Sequence, residues 1–361
     1  MPSKDKRMNL MFLIGGLLTA AASGIFTGVL TRYAPRLGLL DTPNERSSHA
    51  VPTPRGGGVA IVVTSSVGFS VFGWLGILDL SLALGLVVGG LAVALVGFLD
   101  DFRRIPVSAR LAVHIGAAIW ALYFLGAVPT LQLGERLVEL DGLWYPVHVL
   151  GIVWVINLFN FMDGIDGIAA SEAVFIVLAA ALLALPMGVS SSMPIGAAIL
   201  VGSCLGFLYW NWPPAKVFMG DVGSGYLGFV IAVFALKSAT DSSAALLVWL
   251  ILGGVFFIDA TVTLTRRLGR GERVSQAHRS HAYQWLARRW RSHQRVTVLV
   301  IAINVAVLFP LAIWSALQPH RSASIAAGAL LFLVITLLAA GAGRAEEPTP
   351  AKSITHPPTD S

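Results

Sequence analysis

Two adjacent carboxylates, Asp100 and Asp101, close a long apolar run in the stretch GFLDDFRRI. Side by side they repel one another and are costly to take out of water, so a compensating cation is needed, either Arg103 or Arg104 or a divalent ion such as Mg²⁺. The same pattern also reads as a solvated helix end whose charges merely stop the span. In a second block, NLFNFMDGIDGIAA, Asn157, Asn160 and Asp163 recur at every third residue. On a helix such residues drift by about 60° per step and share one face, polar in an otherwise apolar segment. Gly164 and Gly167 allow a phosphate or a metal to press against the chain near Asp166, although Asn and Asp beside Gly are also ordinary turn formers.

A third block, KVFMGDVGSGYLG, places Asp221 between glycines just before an apolar helix. Backbone amides at such a start bind phosphate and the carboxylate can hold a metal. Taken alone, this is a common way to begin a helix. The first polar loop, GLLDTPNERSSHAVPTPRGGGVA, combines Asp41, Arg46, His49 and Arg55 with three glycines. Arginine forks and free amides favour phosphate there, while turn residues in a basic membrane loop explain the composition as well. The last block, RRLGRGERVSQAHRSHAYQWLARRWRSHQR, carries His278, Arg279 and His281. With no Cys and no neighbouring Glu, zinc is a poor fit, and phosphate contact or proton transfer a better one. Its half from Ser280 to Ser292 has the apolar spacing of an interfacial helix.

Something must bring these distant residues to one place. The chain has 361 residues, 56% hydrophobic and 12% charged, with a mean hydropathy of +0.76, against about 25% charged in soluble domains. Long apolar runs separated by short polar ones predict an all-α integral membrane protein, because backbone groups in lipid need internal partners. Spans are predicted near 8–30, 57–76, 82–99, 111–128, 145–161, 170–186, 194–211, 225–238, 246–264, 296–317 and 324–342, eleven in all with ten the alternative. Lys and Arg concentrate in the loops after odd-numbered spans. This predicts those loops on the cytoplasmic side and the N-terminus outside, although Lys4, Lys6 and Arg7 argue the other way. One membrane domain over 1–343 and a Pro- and Thr-rich disordered tail over 344–361 complete the plan. The net charge of +6 then reflects topology rather than nucleic acid binding. The single cysteine, Cys204, excludes an internal disulfide. In this topology all the polar blocks fall on one membrane face, as a charged substrate and a metal ion require.

In this order the blocks resemble the polyprenyl-phosphate N-acetylhexosamine-1-phosphate transferase superfamily, glycosyltransferase family 4, from about Leu37 to Gln284. Asn157 through Gly167 and FMGDVGS are the specific segments. DTPNERSSHAVPTPRGGG is similar to the O-antigen and teichoic-acid branch rather than the peptidoglycan branch, and AHRSHAYQ to the form in O-antigen initiators, with Ser280 where many members have a further His and Arg104 where the peptidoglycan enzymes have Lys. The resemblance implies transfer of an N-acetylhexosamine-1-phosphate from a UDP-sugar (GlcNAc, FucNAc or QuiNAc) to undecaprenyl phosphate at the cytoplasmic face of the bacterial inner membrane, with a homodimer as a candidate assembly. It implies Mg²⁺, replaceable by Mn²⁺, on Asp221 and Asp100, and a catalytic pocket of Asp100, Asp101, Asn160, Asp163 and Asp166. Substrate contacts fall to Asp41, Arg46, His49, Arg55, Arg104, Asn157, Phe218, His278, Arg279 and His281, with Phe218 against uracil. The rival is an ion- or proton-coupled transporter, which would place its carboxylates near the bilayer midplane and show related halves. No internal repeat is evident.

Overall fold

A computed structural model describes residues 4–41, 52–103, 105–126, 129–139, 142–190, 192–272 and 278–345. Eleven apolar helical segments run through them. They are α1 (Lys4–Tyr33), α2 (Gly58–Trp74), α3 (Leu80–Phe102), α4 (Val107–Leu125), α5 (Tyr145–Met162), α6 (Ile168–Ala184), α7 (Ser192–Asn211), α8 (Asp221–Asp241), the pair α9 (Ala245–Leu252) and α10 (Gly254–Gly269), then α12 (His293–Ile303) running through a π-helical turn, Asn304–Leu308, into α13 (Phe309–Leu317), and finally α14 (Ser322–Ala339). A short helix, α11 (Ala282–Trp290), precedes α12, and two small hairpins, β1 (Leu40–Asp41) with β2 (Thr53–Pro54) and β3 (Thr130–Leu133) with β4 (Arg136–Glu139), are the sheet among the described residues. Eight helices are long and apolar enough to cross a membrane, nine if α9 and α10 count as one. The other two, α2 and α6, have 17 residues each, about 25 Å of helix. The eleven expected segments are therefore present, with nine of full spanning length.

Apolar side chains cover the outside of the bundle, among them Leu17, Ile25, Val67, Leu95, Leu150, Leu185 and Leu331, all exposed, as befits contact with lipid tails. Inside, small residues let backbones approach, because lipid supplies no hydrophobic drive between helices. Thr19 Oγ1 of α1 donates to Ile199 O at 3.1 Å, Ser23 Oγ to Ser203 O at 2.7 Å, and Trp210 Nε1 to Gly24 O at 2.8 Å, binding α1 to α7. The centre is α8, which packs against α2, α3 and α5 and has large fully buried side chains in Tyr226, Phe229 and Phe234.

The ninth segment departs from expectation. Hydropathy predicts one run over 246–264, but the chain bends by 74° between α9 and α10. Gly254 lies there against Leu333 and Leu308 of neighbouring helices, where a Cβ would come within 2.6 Å of Leu333 Cδ1. Nearby, Glu172 of α6, 1% exposed, accepts from Asn304 Nδ2 at 2.6 Å. Asn304→Leu removes the donor from a buried carboxyl and is expected to cost about 1–3 kcal/mol, measured as a fall in thermal unfolding temperature in detergent. An unchanged temperature would show that the pair contributes nothing.

Candidate active site

The ends of α3 and α5 and the starts of α2, α4 and α8 meet at one end of the bundle. Asp101 at the end of α3 accepts from Arg55 Nη2 at 2.9 Å, and its carbonyl takes a second bond from the same guanidinium. The Asp101 side chain is 6% exposed. Arg55 also lies 3.9 Å from Asp41. Asp100 is held by the Ile105 amide at 2.7 Å and by Arg110 of α4, whose Nη1 lies 3.7 Å from Asp221 Oδ2. Asn160 Nδ2 donates to Ser224 Oγ at 3.2 Å and its side chain also bonds Asp221. Asp163 follows immediately after α5, and its pKa is pushed up to about 8 by burial first and then by the charges of Asp221, Asp101 and Asp166. Two guanidiniums thus face four carboxylates. The Asp221 side chain, 38% exposed against 14% for Asp100 and 6% for Asp101, is the most open of these three to an incoming ion.

Main chain, rather than long side chains, sets this spacing. Gly57 N donates to Phe218 O at 2.9 Å, Gly58 N to Met219 O at 3.0 Å and Phe218 N to Pro54 O at 2.8 Å, laying the first loop against the segment before Asp221. Gly220 has φ 76° and its missing Cβ would lie 2.7 Å from Asp101 Oδ2. A Cβ on Gly97 would lie 2.5 Å from Asp221 O, and one on Gly58 would lie 2.5 Å from Gly223 Cα. These bonds overturn two expectations about amides. Those of Gly57 and Gly58 dock the loop, and those of Asp221 and Val222 donate to the Asp101 carboxylate, which caps α8 where its dipole favours negative charge. They are engaged within the protein rather than presented to a phosphate. Gly164 likewise makes room for the Tyr283 hydroxyl, and Gly167, at φ 75°, donates to Asn211 Oδ1 at 3.0 Å.

The histidine loop approaches from the side of α5. Tyr283 Oη donates to Phe161 O at 3.0 Å; burial, aided by the Asp259 and Asp163 charges, holds the phenol well above its ordinary pKa, so it stays neutral. His278 and His281 lie 5.0 Å apart, ring centre to ring centre, and His281 stacks on Tyr283 at 5.7 Å. Burial, aided by the neighbouring His281 and Arg267, pushes His278 down to about 4, which leaves it neutral, with Ser280 Oγ 3.3 Å from its Nδ1. Behind the loop, the segment after α14 folds back. Gly343 N donates to Ser280 O at 2.7 Å, Arg266 and Arg270 donate to Ala342 O and Gly343 O, both at 2.7 Å, and Arg344 stacks over Trp285 at 4.8 Å. Arg344, expected in the tail, therefore belongs to the packed domain; 346–361 lie outside the described residues.

Not every expected residue joins the carboxylate cluster. Asp166 turns toward α12. Its Oδ1 lies 3.2 Å from His293 Nδ1 and its Oδ2 accepts from Ala215 N at 3.1 Å, beside a cavity of about 590 Å³ that Arg279, Arg288, Arg291 and His293 help to line. Asn157 donates to Val153 O of its own helix at 2.7 Å, so the polar face expected over three residues is carried into the site by Asn160. Phe218 is half-buried beside the docked loop. Arg46, His49 and Arg104 lie outside the described residues. Sequence reasoning missed Arg110, taken only as a topology charge, and Asp259, a lone acid in FFIDATVT whose signal was its position in the middle of an apolar run. Missed as well were His293 and Arg267, whose Nη1 donates to Ser280 Oγ at 3.3 Å.

Among the described residues no three carboxylates, imidazoles or thiols form a ready coordination shell. A magnesium ion needs none, since it keeps several waters and takes one or two carboxylates plus substrate phosphates. Hard oxygen donors, the crowding of Asp163 against Asp101 and Asp221, and the part-exposed Asp221 carboxylate fit such an ion.

Known proteins resemble the chain along most of its length. The family model described as glycosyl transferase family 4 matches residues 83–239. A Bacillus subtilis protein named as a probable undecaprenyl-phosphate N-acetylglucosaminyl 1-phosphate transferase is 31% identical over 331 residues, 87% of this chain and 89% of its own. A decaprenyl-phosphate N-acetylglucosaminephosphotransferase of Mycobacterium leprae is 28% identical over 88% of this chain and 87% of its own. A phospho-N-acetylmuramoyl-pentapeptide-transferase of Heliobacterium modesticaldum is 35% identical over 48% of this chain and 57% of its own.

Proposed function

We propose the following for a chain that belongs to glycosyl transferase family 4, within the polyprenyl-phosphate N-acetylhexosamine-1-phosphate transferase superfamily: it transfers an N-acetylhexosamine-1-phosphate from a UDP-sugar to undecaprenyl phosphate, releasing UMP. The observation that carries this reading is the meeting of Asp100, Asp101, Asp163 and Asp221 with Arg55 and Arg110 at one end of an apolar bundle. There a lipid phosphate and a water-soluble nucleotide can reach the same point. A transporter would want these acids near midspan.

In the reaction an oxygen of the lipid phosphate attacks the sugar-bearing phosphorus; the bond from that phosphorus to UMP breaks as the new phosphorus–oxygen bond forms. Both partners are anions, so neutralisation and alignment are the work required. Asp221 with Asp100 would hold Mg²⁺, or Mn²⁺ in its place, which supplies positive charge beside the phosphates. Arg55 and Arg110 keep Asp101 and Asp100 fixed and present further positive charge. Asp163 suits the proton acceptor better than Asp100, because it binds a proton near neutral pH whereas Asp100 is tied to Arg110 and the Ile105 amide. Arg279 and the neutral His278 would contact the nucleotide-sugar phosphates, with His281, 1% exposed, packed on His278 at 5.0 Å between ring centres. The Bacillus subtilis and Mycobacterium leprae relatives both have N-acetylglucosamine in their names, which favours UDP-N-acetylglucosamine. The O-antigen-type pathway rests on the first loop and AHRSHAYQ, and the basic loops support a cytoplasmic site in the inner membrane.

The test is UMP release by purified protein in detergent with undecaprenyl phosphate, Mg²⁺ and UDP-GlcNAc, UDP-FucNAc or UDP-QuiNAc in turn. No UMP with any of them overturns the reading, and a labelled phospho-enzyme formed from UDP-sugar alone would replace direct attack by a covalent route. A stability measurement bears on the metal. Asp163 binds its proton more tightly folded, at about 8, than unfolded, at about 4. Between those values the folded state carries more protons, so stability falls as pH rises. The unfolding temperature in EDTA is expected to drop from pH 5 to pH 8.5, and Mg²⁺ to flatten that slope. A slope that Mg²⁺ leaves unchanged would remove the ion from the cluster.

A further inference from the structure

We infer that Asp259, which lies apart from the carboxylate cluster, is the positioning residue for His281, and through it sets how the UDP-sugar phosphates are held; the kinetic side of this inference rests on the function proposed above. Asp259 sits on α10 just beyond the bend at Gly253–Gly254 and is 1% exposed. An ionisable group in a spanning helix is expensive and is kept for a use. Among the described residues, all its hydrogen-bond and ion-pair partners but one lie in the segment 281–283. Oδ1 accepts from Ala282 N at 2.9 Å and Oδ2 from Tyr283 N at 3.2 Å, while Oδ1 lies 3.5 Å from His281 Nδ1. The remaining partner, Thr263 Oγ1 at 3.1 Å, is one turn along the same helix and steadies the carboxylate.

The two amides are the first two of α11, groups that no turn of their own helix can satisfy. A carboxylate supplied by another helix therefore caps α11 and favours its dipole. It also fixes the main chain immediately after His281, while His278 and Tyr283 confine the ring from either side. Asn in its place keeps the size but turns one acceptor into a donor, so only one of the two amides can be met. The cost then falls on the orientation of His281, which is bonded directly to Ala282 N, with Tyr283 N one residue further on.

A double-mutant cycle separates this from a purely structural role. Steady-state UMP release is measured for wild type, Asp259→Asn, His281→Ala and the double variant. Asp259→Asn is expected to lower kcat/KM for the UDP-sugar at least tenfold with KM for undecaprenyl phosphate unchanged, and to cost less than a further twofold when His281 is already Ala, as coupled residues do. Independent, multiplicative losses would overturn the inference, as would wild-type kcat/KM in Asp259→Asn. Hydrogen exchange supplies a readout that needs no activity. Amides of 280–286 should exchange at least tenfold faster in Asp259→Asn while those of α3 keep their wild-type rates, and unchanged exchange at 280–286 overturns the inference. If Asp259→Asn does not fold, Asp259→Glu, which keeps the charge but moves the acceptors by one methylene, carries the same cycle and the same exchange measurement. A wild-type protein that releases no UMP would end the proposed function and leave the exchange result to decide the role of Asp259.

Discussion

Asp221→Asn is expected to slow UMP release by about 10² to 10³ and to unfold at the wild-type temperature or above it. Asp221 is more open to solvent than Asp100 or Asp101, and its neighbours include both of them and Asp163. Replacing one negative charge relieves repulsion among the rest. Against this, α8 loses an acidic group from its first turn, worth about 0.3–1 kcal/mol. The fold is thus nearly indifferent to the change, while any ion held at this position loses its accessible ligand. Normal turnover in this variant would remove Asp221 from the chemistry.

The second large effect comes from a residue that touches no substrate. A Cβ on Gly97 would meet Asp221 O at 2.5 Å, Asp221 C at 2.7 Å and Val222 N at 2.9 Å, all main-chain atoms with no flexible end to swing aside. Ordinary contact needs about 3.5–4.0 Å, so Gly97→Ala drives the start of α8 away from α3 by roughly 1 Å, a misplacement that can cost about a hundredfold in rate. The expected outcome is a fall in kcat of that size with about 1–3 kcal/mol of lost stability from overpacking. Gly116→Ala on α4, where nothing lies within 4 Å of the added atom, is the control and should match wild type in both. Equal activity in the two variants would show that α8 is not held by this contact.

The spans were legible because an uninterrupted apolar run longer than a globular core needs is a strong signal. The run over 246–264 showed its length but not its 74° bend, since hydropathy carries no information about main-chain direction. Asp100, Asp101, Asn160, Asp163 and Asp221 were legible as acids and amides at the ends of apolar runs, and all of them meet. What the pattern could not show is which neighbours use each polar group. The amides at Gly57, Gly58, Asp221 and Val222 look like an anion site in one dimension and are engaged by Phe218, Met219 and Asp101 in three. Arg110 is one basic residue among several until α4 is seen to lean on Asp100. Asp166 has the spacing of its neighbours, yet Gly167 turns the chain and sends it to His293.

The return of residues 342–344 to the histidine loop has a consequence for how the molecule comes into being. Every cluster acid is translated, and its helix inserted, before the strand of chain that braces Ser280 and Trp285 leaves the ribosome. A nascent or prematurely terminated polypeptide ending ahead of α14 therefore owns the acids without the brace on Ser280 and Trp285.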